Sequence, residues 1–125
     1  MVAHTAEPID TDAVIIGAGP VGLFQAFQLG LLEINCHSVD ELPHTGGQCA
    51  ELYGDKPIYD IPGTVATTGH GLAEALLQQI SPFKVPMHLG AQAVSLHREP
   101  DRRLRLSTTR GTVFVAITAF IAGGM

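Results

Sequence analysis

The first regular pattern along the chain is a short apolar run that ends in glycines. Ala13 to Ile16 form an apolar, mostly β-branched run, and Gly17 to Gly19 follow it directly. Pro20 suits the first turn of a helix, where its missing N–H costs nothing. Apolar residues then recur at helical spacing from Val21 to about Glu33. The pattern predicts a buried parallel strand, a glycine turn and a helix.

Irregular and regular segments alternate in the rest of the chain. The pattern predicts a second strand at residues 34–39 and a long irregular loop at residues 42–68. It predicts a second amphipathic helix at residues 69–80. The remaining apolar runs predict strands, which lie at residues 85–89, 93–97, 104–108, 112–116 and 117–122.

This order of elements predicts an α/β fold of three layers, in which a β-meander of residues 93–116 covers one face of a parallel sheet. Residues 13–16 and 35–39 should then be neighbouring parallel strands. Residues 1–11 are predicted to form a flexible N-terminal tail, and residues 12–125 the folded domain.

The composition of the chain argues against several classes of function. The chain has 125 residues, 46% of them hydrophobic and 15% charged, with a formal net charge of -5. This composition is globular, and the acidic balance argues against binding to nucleic acid or to an anionic membrane. No apolar run is long enough to span a membrane. Cys36 and Cys49 form no Cys-x-x-Cys pair, which favours a cytoplasmic location, and the histidines show no zinc-like spacing.

The strongest motif is the run Gly17-Ala18-Gly19-Pro20-Val21-Gly22, which lies between a predicted strand and a predicted helix. In a dinucleotide-binding fingerprint, the first glycine permits the tight turn and the second lets the backbone approach a pyrophosphate. The third lets the helix pack against the strand. The helix N-terminus then offers N–H groups and a positive dipole end to the phosphates.

An acidic residue at the end of the second strand completes this fingerprint. Asp40 lies 23 residues after Gly17, close to the expected spacing of about 20. Its carboxylate could accept hydrogen bonds from the ribose hydroxyls and would repel a 2′-phosphate, so the site should take FAD or NAD rather than NADP. Glu41 is the alternative candidate. The competing interpretation of the whole constellation is a glycine-rich turn and a surface acid without a ligand.

The residues after Asp40 carry a family resemblance. Leu42-Pro43-His44-Thr45-Gly46-Gly47-Gln48 resembles the flavin-contacting loop of thioredoxin-reductase-like flavoproteins. The continuation, residues 51–63 (ELYGDKPIYDIPG), resembles the ferredoxin–NADP reductases of that type. Residues 118–124 resemble the second flavin-side strand and glycine turn. The resemblance covers residues 12–124 and implies a Rossmann-like FAD/NAD(P)-binding fold.

The resemblance also implies roles for single residues. The pyrophosphate would be served by Gly17, Gly19, Pro20 and Gly22, the ribose by Asp40, the flavin side by Gln48 and Tyr53, and the adenine by the backbone of Ala93. Gln48 could instead cap the loop, and Tyr53 could be an ordinary half-buried aromatic residue. No residue is assigned a catalytic role, because the flavin carries out the redox reaction. No residue is assigned as a metal ligand.

The sequence departs from the family pattern in three places. The usual glycine before the second strand is replaced in Glu33-Ile34-Asn35, where Asn35 is expected to take the positive φ. The second strand is more polar than a central parallel strand should be. The chain also ends after the second flavin-side strand, so it is expected to be a truncated, N-terminal part that lacks the NADPH-binding domain.

The function that the resemblance implies is that of an NADPH-dependent flavoprotein oxidoreductase. FAD would pass electrons from NADPH to ferredoxin or flavodoxin, and a homodimer is compatible with this function. The 125 residues alone are expected to be inactive. Two alternatives remain, a thioredoxin-reductase-like flavoprotein and a nucleotide-binding module without turnover.

Overall fold

The computed structural model describes residues 7–47 and 54–123. The helices are α1 (Pro20–Leu31) and α2 (Gly69–Ile80), and a short 3-10 helix (Ser81–Phe83) follows α2. The strands are β1 (Ile9–Ile16), β2 (Cys36–Asp40), β3 (Pro57–Ile58), β4 (Thr67–Thr68), β5 (Met87–Leu89), β6 (Ala93–Arg98), β7 (Leu104–Thr108) and β8 (Val113–Ile121). Within the described ranges, neither helix is long and apolar enough to cross a membrane.

Six of the strands form one sheet in the order β5-β2-β1-β8-β7-β6. The first four run parallel, and β7 and β6 continue the sheet in antiparallel fashion. Ala13 lies opposite Cys36 and Ile16 opposite Val39, so the predicted pairing of the first two strands is confirmed. The short strands β3 and β4 pair only with each other.

Successive residues of β1 pack against different layers, because side chains alternate across a strand. Ala13 and Ile15 pack on the side of the two helices, in a cluster completed by Leu23, Ala26, Leu29, Cys36, Leu76 and Ile80. Val14 packs on the other side, in a cluster completed by Val39, Ala91, Leu106, Phe114 and Ala116. The second cluster contains residues of β7 and β8, so the meander covers that face and the three-layer prediction is confirmed.

Two strand boundaries differ from the prediction by more than two residues. β1 begins at Ile9, within the predicted tail, and Ile9 lies opposite Phe114. The third meander strand and the last apolar run are one continuous strand, β8, whose first half pairs with β1 and β7 together. The polar residues at the start of β1 are ordered by a partner from the far end of the chain, which no local pattern reveals.

The end of α1 corrects the prediction for Asn35. The residue with positive φ is Glu33, at 59°. Its N–H donates to Gly30 O at 3.0 Å, and Ile34 N–H donates to Leu29 O at 2.9 Å. These two bonds form a Schellman motif, whose left-handed position lies directly after the residue that caps the helix. Glu33 therefore occupies the position where a glycine is usual.

Replacing Glu33 with glycine should stabilise the protein. Glycine adopts positive φ without the steric cost that Glu33 bears, so we expect Glu33→Gly to raise the free energy of unfolding by about 0.5–1 kcal/mol. Urea denaturation measures this change. Asn35→Gly is the matched control and should not stabilise, because Asn35 has negative φ. The opposite ranking of the two variants would contradict the assignment.

Candidate dinucleotide-binding site

The first glycine of the fingerprint turns the chain out of β1. Gly17 has φ +124°, and its N–H donates to Val39 O at 2.7 Å. A Cβ at Gly17 would lie 2.4 Å from Ala122 O, since the backbone after β8 passes directly beside the turn. Glycine is therefore required here both for its conformation and for this close approach.

The other two fingerprint glycines differ in what surrounds them. A Cβ on Gly22 would lie 2.0 Å from Gly17 O, so only glycine lets α1 pack against the turn. Among residues 7–47 and 54–123, a Cβ on Gly19 would meet nothing closer than Gly47 Cα at 3.6 Å, which is ordinary contact. The packing of the described residues therefore does not require a glycine at position 19 and leaves space beside it for a ligand.

The N-terminus of α1 lies beside this space and has no side-chain cap within the described part of the chain. Gly19 is the N-cap residue and has no side chain to accept from the helix, Pro20 follows it, and the first turn contains no acidic residue. The first N–H groups of a helix have no partner within the helix, and they carry the positive end of its dipole. This helix end is therefore suited to an anionic group.

Asp40 joins the end of β2 to the glycine turn. One carboxylate oxygen accepts a hydrogen bond from Ala18 N–H at 2.6 Å, and the other accepts one from Leu42 N–H at 2.8 Å. A carboxylate has about four acceptor positions, so both oxygens can still accept from ribose hydroxyls. Glu41, the alternative candidate, is exposed. The geometry favours Asp40.

The loop after β2 packs onto the turn. Gly46 N–H donates to Ala18 O at 2.8 Å. Gly47 has φ +56°, and a Cβ on it would lie 2.9 Å from Gly19 Cα. The sequence resemblance placed this glycine pair in the flavin-contacting loop but gave neither glycine a role of its own, although two adjacent glycines are a signal of close backbone approach. Two predicted site residues, Gln48 and Tyr53, lie outside the described residues, so their roles stay predictions.

Ala93 lies just beyond a segment that is attached to Asp40. Ala91 N–H donates to Asp40 O at 2.9 Å, and Gly90 N–H donates to Leu42 O at 2.9 Å. Ala93 itself begins β6, opposite Thr108. Ala93 therefore lies two residues after Ala91, which is bonded to Asp40, and the backbone contact of Ala93 with adenine remains a prediction.

A histidine pair that the sequence did not indicate lies between β2 and β5. His37 Nδ1 and His88 Nε2 are 2.9 Å apart, and Phe114 packs against both rings at centroid distances of 5.5 and 4.9 Å. This pairing accounts for part of the unexpected polarity of β2. Burial lowers the pKa of His37, and the neighbouring His88 lowers it further; burial also lowers the pKa of His88.

This pair should make stability depend on pH. Both folded pKa values lie below the unfolded value of about 6.5. As the pH falls through about 6.5, the unfolded chain therefore binds protons that the folded chain resists, and the folded state loses stability. Urea denaturation between about pH 7.5 and pH 5 should show this loss. The double variant His37→Gln, His88→Gln should flatten the profile, whereas the exposed His70→Gln should leave it unchanged; a profile that survives the double variant would assign the loss elsewhere.

The strand, the glycine turn, the helix and the acid at the end of the neighbouring strand together define a dinucleotide-binding fold. Solved structures share it. A thioredoxin reductase from Streptococcus pyogenes matches with a TM-score of 0.81 and 23% identity, over 94% of this chain and 36% of that one. A thioredoxin reductase from Gloeobacter violaceus matches with a TM-score of 0.77 and 27% identity, over 94% of this chain and 38% of that one.

Curated relatives found by sequence share a higher identity with this chain than these solved structures do. The chain is 56% identical over 118 residues to the ferredoxin–NADP reductase of Methylibium petroleiphilum, covering 94% of this chain and 32% of the relative. It is 59% identical over 118 residues to that of Acidovorax sp. strain JS42, covering 94% of this chain and 33% of the relative. These matches confirm the resemblance to ferredoxin–NADP reductases. The chain spans about a third of the length of these relatives, and no family model matches it.

Proposed function

We propose that the chain forms the FAD-binding part of a flavoprotein oxidoreductase that takes electrons from NADPH and passes them to ferredoxin or flavodoxin. The observation that carries the proposal is the glycine turn braced by Asp40, in a chain more than half identical to proteins named ferredoxin–NADP reductase. The much lower identity to the thioredoxin reductases favours the ferredoxin-linked class over the thioredoxin-linked one.

The residues present fit FAD. The open space at Gly19, together with the uncapped start of α1, suits a pyrophosphate. Asp40 retains acceptor positions for the ribose hydroxyls, and the resemblance assigns the adenine to the backbone of Ala93. Gln48 and Tyr53 are assigned to the flavin side by the resemblance alone.

When bound, FAD supplies the redox chemistry, since a flavin accepts hydride and releases electrons one at a time. The residues of this chain bind and orient the cofactor. Asp40 also selects the nucleotide that binds, because a carboxylate at the ribose repels the 2′-phosphate of NADPH. The sequence contains one glycine fingerprint, and the proposal assigns it to FAD. We therefore expect that the 125 residues alone do not oxidise NADPH.

A cytoplasmic location fits the cysteine chemistry. Cys36 is a buried free thiol, and its burial raises the pKa of the thiol. Free thiols are typical of proteins in a reducing compartment.

The proposal is tested on the purified chain with added FAD. After removal of free cofactor, the absorbance spectrum should show flavin bands near 370 and 450 nm, on the order of those of any bound flavin. NADPH should neither displace FAD nor be consumed with ferricyanide as acceptor. Turnover at about 10 per second, typical of an enzyme, would contradict the assignment of a single FAD site.

A further inference from the structure

The segment Gly90–Gln92, between β5 and β6, is held from two sides. On one side it bonds to the end of β2, through Asp40 and Leu42 as described above. On the other side, Thr109 N–H donates to Gln92 O at 2.9 Å, and Gln92 N–H donates to Thr109 Oγ1 at 3.0 Å. The turn between β7 and β8 is therefore fixed beside the adenosine end of the proposed site.

Arg110 belongs to that turn and lies over Gly90. Its Nε donates to Gly90 O at 3.1 Å. A Cβ on Gly90 would lie 2.9 Å from Arg110 Nη2, and Gly90 has φ +69°. The glycine at position 90 thus serves two needs, since it takes a left-handed conformation and leaves room for the guanidinium.

Arg110 forms no ion pair within the described part of the chain. Arg103 pairs with Asp10 and Asp101, and Arg105 pairs with Glu99. Arg110, in contrast, has no carboxylate within 4.0 Å among residues 7–47 and 54–123, and its single hydrogen bond there is the one from Nε to Gly90 O. The side chain is held by Nε, while its outer nitrogens and its planar face remain available.

We propose that Arg110 is a recognition residue for the adenosine half of the bound dinucleotide. The inference rests on the proposed function, which places the ribose at Asp40 and the adenine beside Ala93. The segment that Arg110 holds connects these two positions. A planar guanidinium stacks on an aromatic ring such as adenine, and its N–H groups donate to ring nitrogens or phosphate oxygens. No carboxylate in the described residues competes for it.

The test is calorimetric titration of the purified chain with ADP, which carries the adenosine half without the flavin. Arg110→Ala should weaken ADP binding about three- to tenfold, the scale of one cation–π contact or charged hydrogen bond at an exposed site. Arg110→Lys should lie between the parent and the alanine variant, because lysine keeps the charge but loses the planar face. The melting temperature of the unliganded chain should not change, since Arg110 is exposed.

Arg98→Ala is the matched control. Arg98 is also exposed, and its guanidinium also donates to a backbone carbonyl, Arg102 O at 3.0 Å, but in the hairpin between β6 and β7. It should leave ADP binding unchanged. Unchanged ADP binding in Arg110→Ala, or an equal loss in Arg98→Ala, overturns the inference; if Asp40→Ala still weakens binding, the proposed function stands without it. A parent chain that binds neither ADP nor FAD overturns both.

Discussion

Alanine at Gly22 is expected to disrupt the fold, whereas alanine at Gly19 is expected to leave the fold intact and remove the cofactor. Within a helix, glycine to alanine normally stabilises by about 1 kcal/mol. At Gly22 this gain is outweighed, because the new Cβ would lie 2.0 Å from the carbonyl oxygen of Gly17 and α1 would have to move off the sheet. We expect the free energy of unfolding to fall by about 3 kcal/mol.

Gly19→Ala is the matched variant, because the same methyl group is added three residues away. Among the described residues its Cβ would meet nothing closer than Gly47 Cα at 3.6 Å, so the free energy of unfolding should stay within about 0.5 kcal/mol of the parent. The methyl group would occupy the space assigned to the pyrophosphate, and FAD binding should be lost. Urea denaturation and FAD titration separate the two effects. Equal stability of both variants would contradict the packing described for Gly22.

Replacing Asp40 with alanine should weaken the fold and FAD binding together. The substitution removes the acceptors of Ala18 N–H and Leu42 N–H, and Ala18 is fully buried. A buried donor left without a partner costs about 1–3 kcal/mol, so we expect the free energy of unfolding to fall by about 2 kcal/mol. Loss of the ribose contacts should weaken FAD binding by about 1–3 kcal/mol, measured by titration.

Two further variants sharpen this prediction. Asp40→Asn retains one acceptor oxygen but presents N–H groups to one of the two donors, so it should lie between the parent and the alanine variant. Glu41→Ala should change neither quantity, because Glu41 is exposed. If Glu41→Ala weakened FAD binding and Asp40→Ala did not, the assignment of the ribose carboxylate would be wrong by one residue.

Local patterns predicted the elements that position the site. The glycine turn, its flanking strand and helix, and the acid at the end of β2 follow from the spacing of Gly17, Gly22 and Asp40. The helix predicted at residues 69–80 has those bounds in the structure. Each of these features depends on residues close together in sequence, where helical and strand periods can be recognised.

Features that depend on distant partners were not predicted. Residues 9–11 were predicted to belong to a flexible tail, because the strand that orders them lies near the other end of the chain. The pairing of His37 with His88 depends on the register of β2 with β5. One local feature was also missed: the left-handed residue after α1 was assigned to Asn35 on side-chain preference, whereas the helix ends where Glu33 must take that conformation.

Equilibrium titration of the purified chain with FAD, followed by flavin fluorescence and repeated with Gly19→Ala, tests the central claim most directly. We expect saturable binding of about one FAD per chain, as for one fingerprint, and loss of that binding in the folded Gly19→Ala variant. Absence of saturable binding in the parent chain, or equal affinity in the two proteins, would contradict the assignment of this glycine turn as an FAD site.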